Sequence, residues 1–244
     1  MSSGSRLYMA LLDLGKEAVR HLDGHPVGGQ LVRGTLSAPL YAAYLIQVVR
    51  QVQVSGPMLA TAGAAFERQG RTSLAALFRA KSGEETGHDD WALDDLAVLG
   101  VGRDAVEATP PSPGVTAYLA WTNYSATRAP AAVIGLAWTL EWFGFTRAGR
   151  AADNLVAHAR IPRIESAVKF LRGHGDADRH HIRALAAALG ELTEPDEVDA
   201  VLLSARVTAR LYSSFFDMAE ENAVPRLTRP AQLPRPAVPA SPER

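Results

Sequence analysis

No cysteine occurs anywhere in the 244-residue chain. That absence excludes disulfides, thiolate-bound metals, iron–sulfur clusters and cysteine nucleophiles together. An excess of either charge is missing too. The 25 basic and 26 acidic residues leave a net charge of −1, and no block of like charge marks a polyanion or a membrane surface. Nucleic acid and membrane are therefore not expected as partners. The longest apolar stretch, around 129–146, is interrupted by Glu141 and falls short of a membrane span. In the opening MSSGSRLYMALLDLGKEAVRHL, Lys16, Glu17 and Arg20 break the apolar residues at helical spacing, which reads as an amphipathic helix and not a signal peptide. A cytoplasmic location is expected. Strand-like alternation is absent as well, and the apolar pattern is helical almost throughout.

The spacing predicts helices at about 5–22, 38–54, 57–69, 73–99, 113–125, 129–149, 152–158, 162–171, 174–189 and 195–221. GHPVGG (24–29), GPM (56–58) and TPPSPG (109–114) punctuate them. Thr193-Glu194-Pro195-Asp196 reads as a helix start, with a capping side chain and an early proline. From Pro225 onward, RLTRPAQLPRPAVPASPER is proline-rich with few large apolar groups, which predicts a disordered tail over 225–244. The expectation is one all-α helical bundle over 1–224, followed by that tail.

What the chain does carry is an unusual run, FLRGHGDADRHHIRAL (170–185), with three of its seven histidines. Wound at about 100° per residue, His174, Asp178 and His181 fall within about 60° of one another, whereas Asp176 and His180 point away. Gly173 and Gly175 flank His174, and each weakens a helix by about 1 kcal/mol. Ordering of this segment is therefore expected to be coupled to metal binding.

Two further places supply partners. In KSGEETGHDDWALDDL (81–96), Glu85 and His88 stand at i, i+3 and share a helix face, while Glu84, at i−4 from His88, competes for the role. Glu-x-x-His is the recurrent ligand pair of carboxylate-bridged di-iron bundles, although such a pair in a charged helix is usually a solvated face. In AAVIGLAWTLEWFGF (131–145), Glu141 is the only ionisable group. A buried carboxylate needs a partner. Arg147 or Arg150 could supply it, or it could face a metal. Glu85, His88, Glu141, His174, Asp178 and His181 would give three imidazoles and three carboxylates, donors suited to iron or manganese and unlike a structural zinc site. No side chain stands out as a general acid or base.

The order Glu-x2-His, Glu, His-x3-Asp-x2-His over roughly 5–221 resembles the heme-oxygenase-like di-iron oxidases and oxygenases, which belong to the iron-containing redox enzymes. The resemblance implies a heme-oxygenase-like bundle, two iron ions on those six residues, and O2 as co-substrate, activated through a peroxo-diferric species. It implies oxidation of a small carboxylate- or amine-bearing substrate derived from a fatty acid or an amino acid, in biosynthesis. An external reductant is implied, so an electron-donor protein is a candidate partner, as is a second copy in a homodimer. Some members take the first glutamate from seven positions before the histidine, which here is Lys81.

Other chemistries on the same scaffold fit less well. A heme oxygenase needs a proximal histidine on its first helix, and Gly24 and Pro26 interrupt the chain around His25. Thiaminase-like relatives use a cysteine nucleophile. The rival from another class is an iron-holding bundle for storage, assembly or sensing. For a substrate pocket, Tyr41, Tyr44 and Gln47 could line one face, and Trp121, Tyr124, Trp138 and Trp142 could wall a cavity. Arg50, Arg128 and Arg147 could each receive a carboxylate, though a surface ion pair is the commoner role.

Overall fold

A computed structural model describes residues 3–217, with the side chains of 176–179 left out. The expected tail at 225–244 lies outside the described residues. Among these, the chain forms helices and no strand, so the structure is the all-α bundle that the periodicity predicts. Its α-helices are α1 (Ser3–Gly24), α2 (Pro26–Arg33), α3 (Ala38–Arg68), α4 (Thr72–Glu84), α5 (His88–Val98), α6 (Arg103–Ala108), α7 (Pro113–Arg128), α8 (Ala132–Phe143), α9 (Gly149–His158), α10 (Lys169–Ala188) and α11 (Pro195–Ser213). None is long and apolar enough to cross a membrane.

The central element is α3, which packs against α4, α5 and α7, while α8 packs on α11 and α10 lies against α5 and α8. Tyr41, Tyr44, Phe66, Phe78 and Trp138 are fully buried between these layers. Tyr41 and Gln47 act as structural ties and do not line a pocket. The Tyr41 hydroxyl donates to the Ala167 carbonyl at 2.8 Å, and Gln47 Oε1 accepts from the Ser112 amide at 2.8 Å.

Several boundaries differ from the sequence expectation, each for a local reason. Gly56-Pro57 does not break α3, which runs through Pro57. Proline removes a backbone donor, but here packing against α4 carries the helix, and Ser82 Oγ donates to the Gly56 carbonyl at 2.9 Å. GHPVGG does not merely separate two helices, because it opens α2. His25 is the N-cap, its Nδ1 accepting from the amides of Val27 and Gly28, and Pro26 sits at the first helical position. The expected helix at 73–99 is two helices, since the chain turns at Glu85–Gly87, with Gly87 at φ +86°. In the opposite sense, the expected 129–149 and 152–158 are one path: α8 passes through a π-helical turn at Gly144–Ala148 directly into α9. The start of α10 is at Lys169, so His174 lies inside the helix rather than at its beginning. α11 starts on Pro195 as expected, although Glu194 is the cap and makes no side-chain capping bond.

Candidate metal centre

The chain brings five of the six expected ligands together, from the α4–α5 turn, α8 and α10. Glu85 closes α4 and His88 opens α5. They are not neighbours on one continuous helix face, as the i, i+3 spacing suggested. The turn nevertheless leaves His88 Nδ1 3.4 Å from Glu85 Oε2, with both side chains almost nine-tenths buried. Among the described residues His88 Nδ1 has no hydrogen-bond partner, which is costly for a buried nitrogen unless something else binds it. The indole of Trp91 stacks on the His88 ring at 4.0 Å between centroids and fixes its plane.

His174 reaches the same spot from α10. Its Nδ1 donates to the Phe170 carbonyl at 3.0 Å. That bond selects the tautomer in which Nε2 carries the lone pair, the arrangement common among metal-ligating histidines. Burial pushes its ionisation below the ordinary imidazole value, which favours the neutral form a metal requires. Ligand atoms of Glu85, His88 and His174 lie within 4.8 Å of one another.

Ligand atoms of a second group, Glu85, Glu141 and His181, likewise lie within 4.8 Å of one another. Glu141 does not pair with Arg147 or Arg150. Its Oε1 accepts from Lys81 Nζ at 2.6 Å and its Oε2 from His181 Nδ1 at 2.9 Å. Arg147 instead forms a two-pronged pair with Asp23, at 2.8 and 2.6 Å. The hydrogen bond to Glu141 holds the His181 ring above the usual imidazole range. His181 Nε2 also lies 3.2 Å from Glu84 Oε2. Glu84 is therefore at the edge of the site, on a side chain nearly half exposed, whereas Glu85 belongs to both groups. The register of α10 agrees with the sequence reading, since His181 is buried and His180 exposed. Asp178 falls in α10, but its side chain is outside the described residues.

Residues that the sequence did not mark hold the ligand helix in place. The buried carboxylate of Asp95 on α5 accepts from the Lys169 and Phe170 amides, both at 2.9 Å, and so caps the start of α10. Nothing in LDDLAVL distinguishes Asp95 from the exposed Asp94. The glycines around His174 also acquire a reason. A Cβ on Gly173 would lie 2.4 Å from the Trp91 ring, and one on Gly175 would lie 2.8 Å from the Gly149 backbone. They are sites of close approach.

A narrow, mainly apolar cavity adjoins the centre. Glu85, Glu141 and His174 face it, and Val52, Met58 and Phe143 are among its walls. Tyr44 lines it as the aromatic spacing suggested, while Trp121, Tyr124, Trp138 and Trp142 do not. Trp138 and Trp142 pack instead around Gly15. Arg50 is spent on the carbonyls of Val106, Glu107 and Thr109. His25, the one histidine near the first helix that is not on its exposed face, is a helix cap whose Nε2 lies 3.1 Å from Asp217.

The fold is that of heme-oxygenase-like proteins. A heme-oxygenase-like domain of unknown function from Shewanella denitrificans OS217 superposes with a TM-score of 0.73 at 19% identity, covering 85% of this chain and 90% of that one. A CADD-like protein of unknown function from Nostoc punctiforme PCC 73102 gives 0.69 at 16%, covering 91% and 100%. A TenA homologue from Pseudomonas syringae pv. tomato DC3000 gives 0.68 at 15%, covering 85% and 89%. No curated protein matches by sequence. Residues 42–213 match the family described as iron-containing redox enzymes. The chain belongs to that family.

Proposed function

We propose that this protein is an O2-dependent non-heme iron oxidoreductase acting on a small molecule with an apolar body. The observation that carries the reading is the convergence of Glu85, His88 and His174 within 4.8 Å at a cavity with apolar walls. The donor set fits iron: one carboxylate and two imidazoles, no sulfur, and a buried His88 nitrogen without a hydrogen bond among the described residues. Bound there, the metal would supply Lewis acidity and redox equivalents. In the two-ion arrangement that the ligand order resembles, Glu85, Glu141 and His181 would face the second ion.

The chain's own residues do the rest. The Phe170 carbonyl and the Trp91 ring orient the two imidazoles. Val52, Met58, Leu59 and Phe143 keep the space beside them poor in water, which favours oxidation of a bound substrate over side reactions with solvent. Arg147 lines the cavity with its guanidinium committed to Asp23, so the polar end of a carboxylate or amine substrate is left to the metal and to Gln51 and Ser55. Chemistry through a cysteine nucleophile is closed to this chain, which has no cysteine. Electrons beyond those the substrate gives come from an external reductant.

The test is oxygen uptake by the full-length protein loaded anaerobically with Fe(II), across a panel of aliphatic carboxylates and amines. An oxidase or oxygenase consumes O2 faster with its substrate present. Uptake that no member of the panel accelerates, with iron merely retained as ferric ion, would identify a storage bundle.

A further inference from the structure

The second ligand group already contains a cation. Lys81 lies in the last turn of α4 with its side chain 97% buried and its Nζ 2.6 Å from Glu141 Oε1. We propose that this ammonium holds the place of a second metal ion, so that the centre takes one iron per chain, on Glu85, His88 and His174. The inference rests on the iron-binding reading above and narrows it.

Three features support it. The first is occupancy of the donors: both Glu141 oxygens are engaged, one by Lys81 and the other by His181 Nδ1 at 2.9 Å. An ion entering among Glu85, Glu141 and His181 would have to share the Glu141 carboxylate with the ammonium or displace it. The second is charge. Glu85 and Glu141 bring two negative charges to the two groups, and Lys81 cancels one. One divalent ion then leaves a small positive excess. A second would leave a large one in a space from which water is largely excluded, where uncompensated charge is poorly tolerated. The Glu84 carboxylate, 3.2 Å from His181 Nε2 at the edge of the site, reduces the excess without removing it. The third feature is placement. Lys81 lies one helical turn before Glu85 on α4, and its stem is enclosed, so the ammonium is not an exposed group that drifts aside. A lysine that reached Glu141 only from the surface would leave the second group open to metal. This one does not.

The contrast between the two groups sharpens the assignment. In the first, His88 Nδ1 is buried with no hydrogen-bond partner among the described residues, and His174 is set in the ligand tautomer. In the second, the carboxylate is already paired with a cation. One group is prepared for an ion and the other is already neutralised.

The experiment is a count of iron on the full-length protein after anaerobic loading with excess Fe(II) and desalting, followed by electron paramagnetic resonance of the oxidised sample. The expected result is one iron per chain, with the signal of an isolated high-spin ferric ion. Loss of that iron in His88→Ala and its retention in His181→Ala would place it in the first group. Lys81→Glu, which puts a carboxylate where the ammonium stands, should raise the count to two and silence the signal through spin coupling. Two irons in the wild-type protein, magnetically coupled, would overturn the inference while leaving the iron reading standing. A single iron that survives His88→Ala but not His181→Ala would overturn it as well. No iron at all would overturn the iron reading itself, and this inference with it. The wild-type count decides the matter even if Lys81→Glu fails to fold.

Discussion

Gly173 and Trp91 interlock: the indole of Trp91 fills the volume that a side chain at 173 would need, 2.4 Å from the place of its Cβ. The same indole stacks on His88 at 4.0 Å and meets the His174 ring edge-on at 5.6 Å. Packing in the helix interface is thereby coupled to ligand orientation.

Gly173→Ala should therefore leave the helical content intact and weaken iron binding, because the displaced indole carries His88 with it. Changes behind a metal ligand typically cost 10–100-fold in affinity, and a loss in that range is expected from Fe(II) titration. Wild-type affinity in Gly173→Ala would mean that the ring yields without moving His88.

Gly175→Ala should behave differently. Its Cβ would meet the backbone of Gly149 at 2.8 Å, and backbone cannot rotate aside. The expected effect is on the fold, about 1–3 kcal/mol by denaturant unfolding of the metal-free protein.

Ligand replacements should be graded by position. His174→Ala and Glu85→Ala should each abolish iron binding, whereas His180→Ala, exposed on the far side of α10, should bind as the wild type does. Glu84→Ala should retain iron, since among the described residues its carboxylate, at the edge of the site, reaches His181 and neither His88 nor His174. Elemental analysis of the four variants is sufficient. Loss of iron in Glu84→Ala with retention in Glu85→Ala would reverse the assignment.

Burial raises the Asp95 carboxyl to about 6, against the lowering effect of its bonds to the Phe170 and Lys169 amides. The folded value exceeds the unfolded one, so the native state binds the extra proton between pH of about 4 and 6. Its contribution to stability is complete below that window and falls as pH rises through it, by an amount on the order of 3 kcal/mol. Asp95→Asn lacks this titration. Its stability deficit relative to the wild type should narrow as pH rises from 4 to 6, and a deficit that stays constant would show that Asp95 does not titrate there.

His25→Ala should cost about 1 kcal/mol through loss of the α2 cap, and heme should bind neither protein. A heme absorption band that disappears in His25→Ala would reinstate the proximal-histidine role.

The legible part of this molecule was its chemistry, and the illegible part was its backbone. Glu85 and His88 could be paired from spacing alone, yet the helix that justified the pairing ends at Glu84. The pair survives because a tight turn and a helical turn both bring residues three apart to one side. Pro57 shows the converse. A local rule predicts a break, and packing of α3 on α4 overrides it. The need of Glu141 for a partner was evident from its apolar helix, but not that Lys81, sixty residues earlier, would provide it. Lys81 sits in an ordinary-looking polar segment, and only tertiary packing buries it. Asp95 was invisible for the same reason, having an identical neighbour in Asp94.

The π-helical turn at Gly144–Ala148 has a consequence for heredity. It accommodates one residue more than an α-helical turn would, so the phase of α9 relative to Glu141 depends on chain length as well as on composition. Substitutions in this turn keep the count and hence the phase of α9 relative to Glu141. Loss or gain of a single codon here would rotate everything downstream by about 100°, withdrawing Gly149 from its contact with α10 beside His174. Arg147, tied to Asp23, and the cavity-lining Gly144 and Ala148 constrain the letters of this stretch as well as their number.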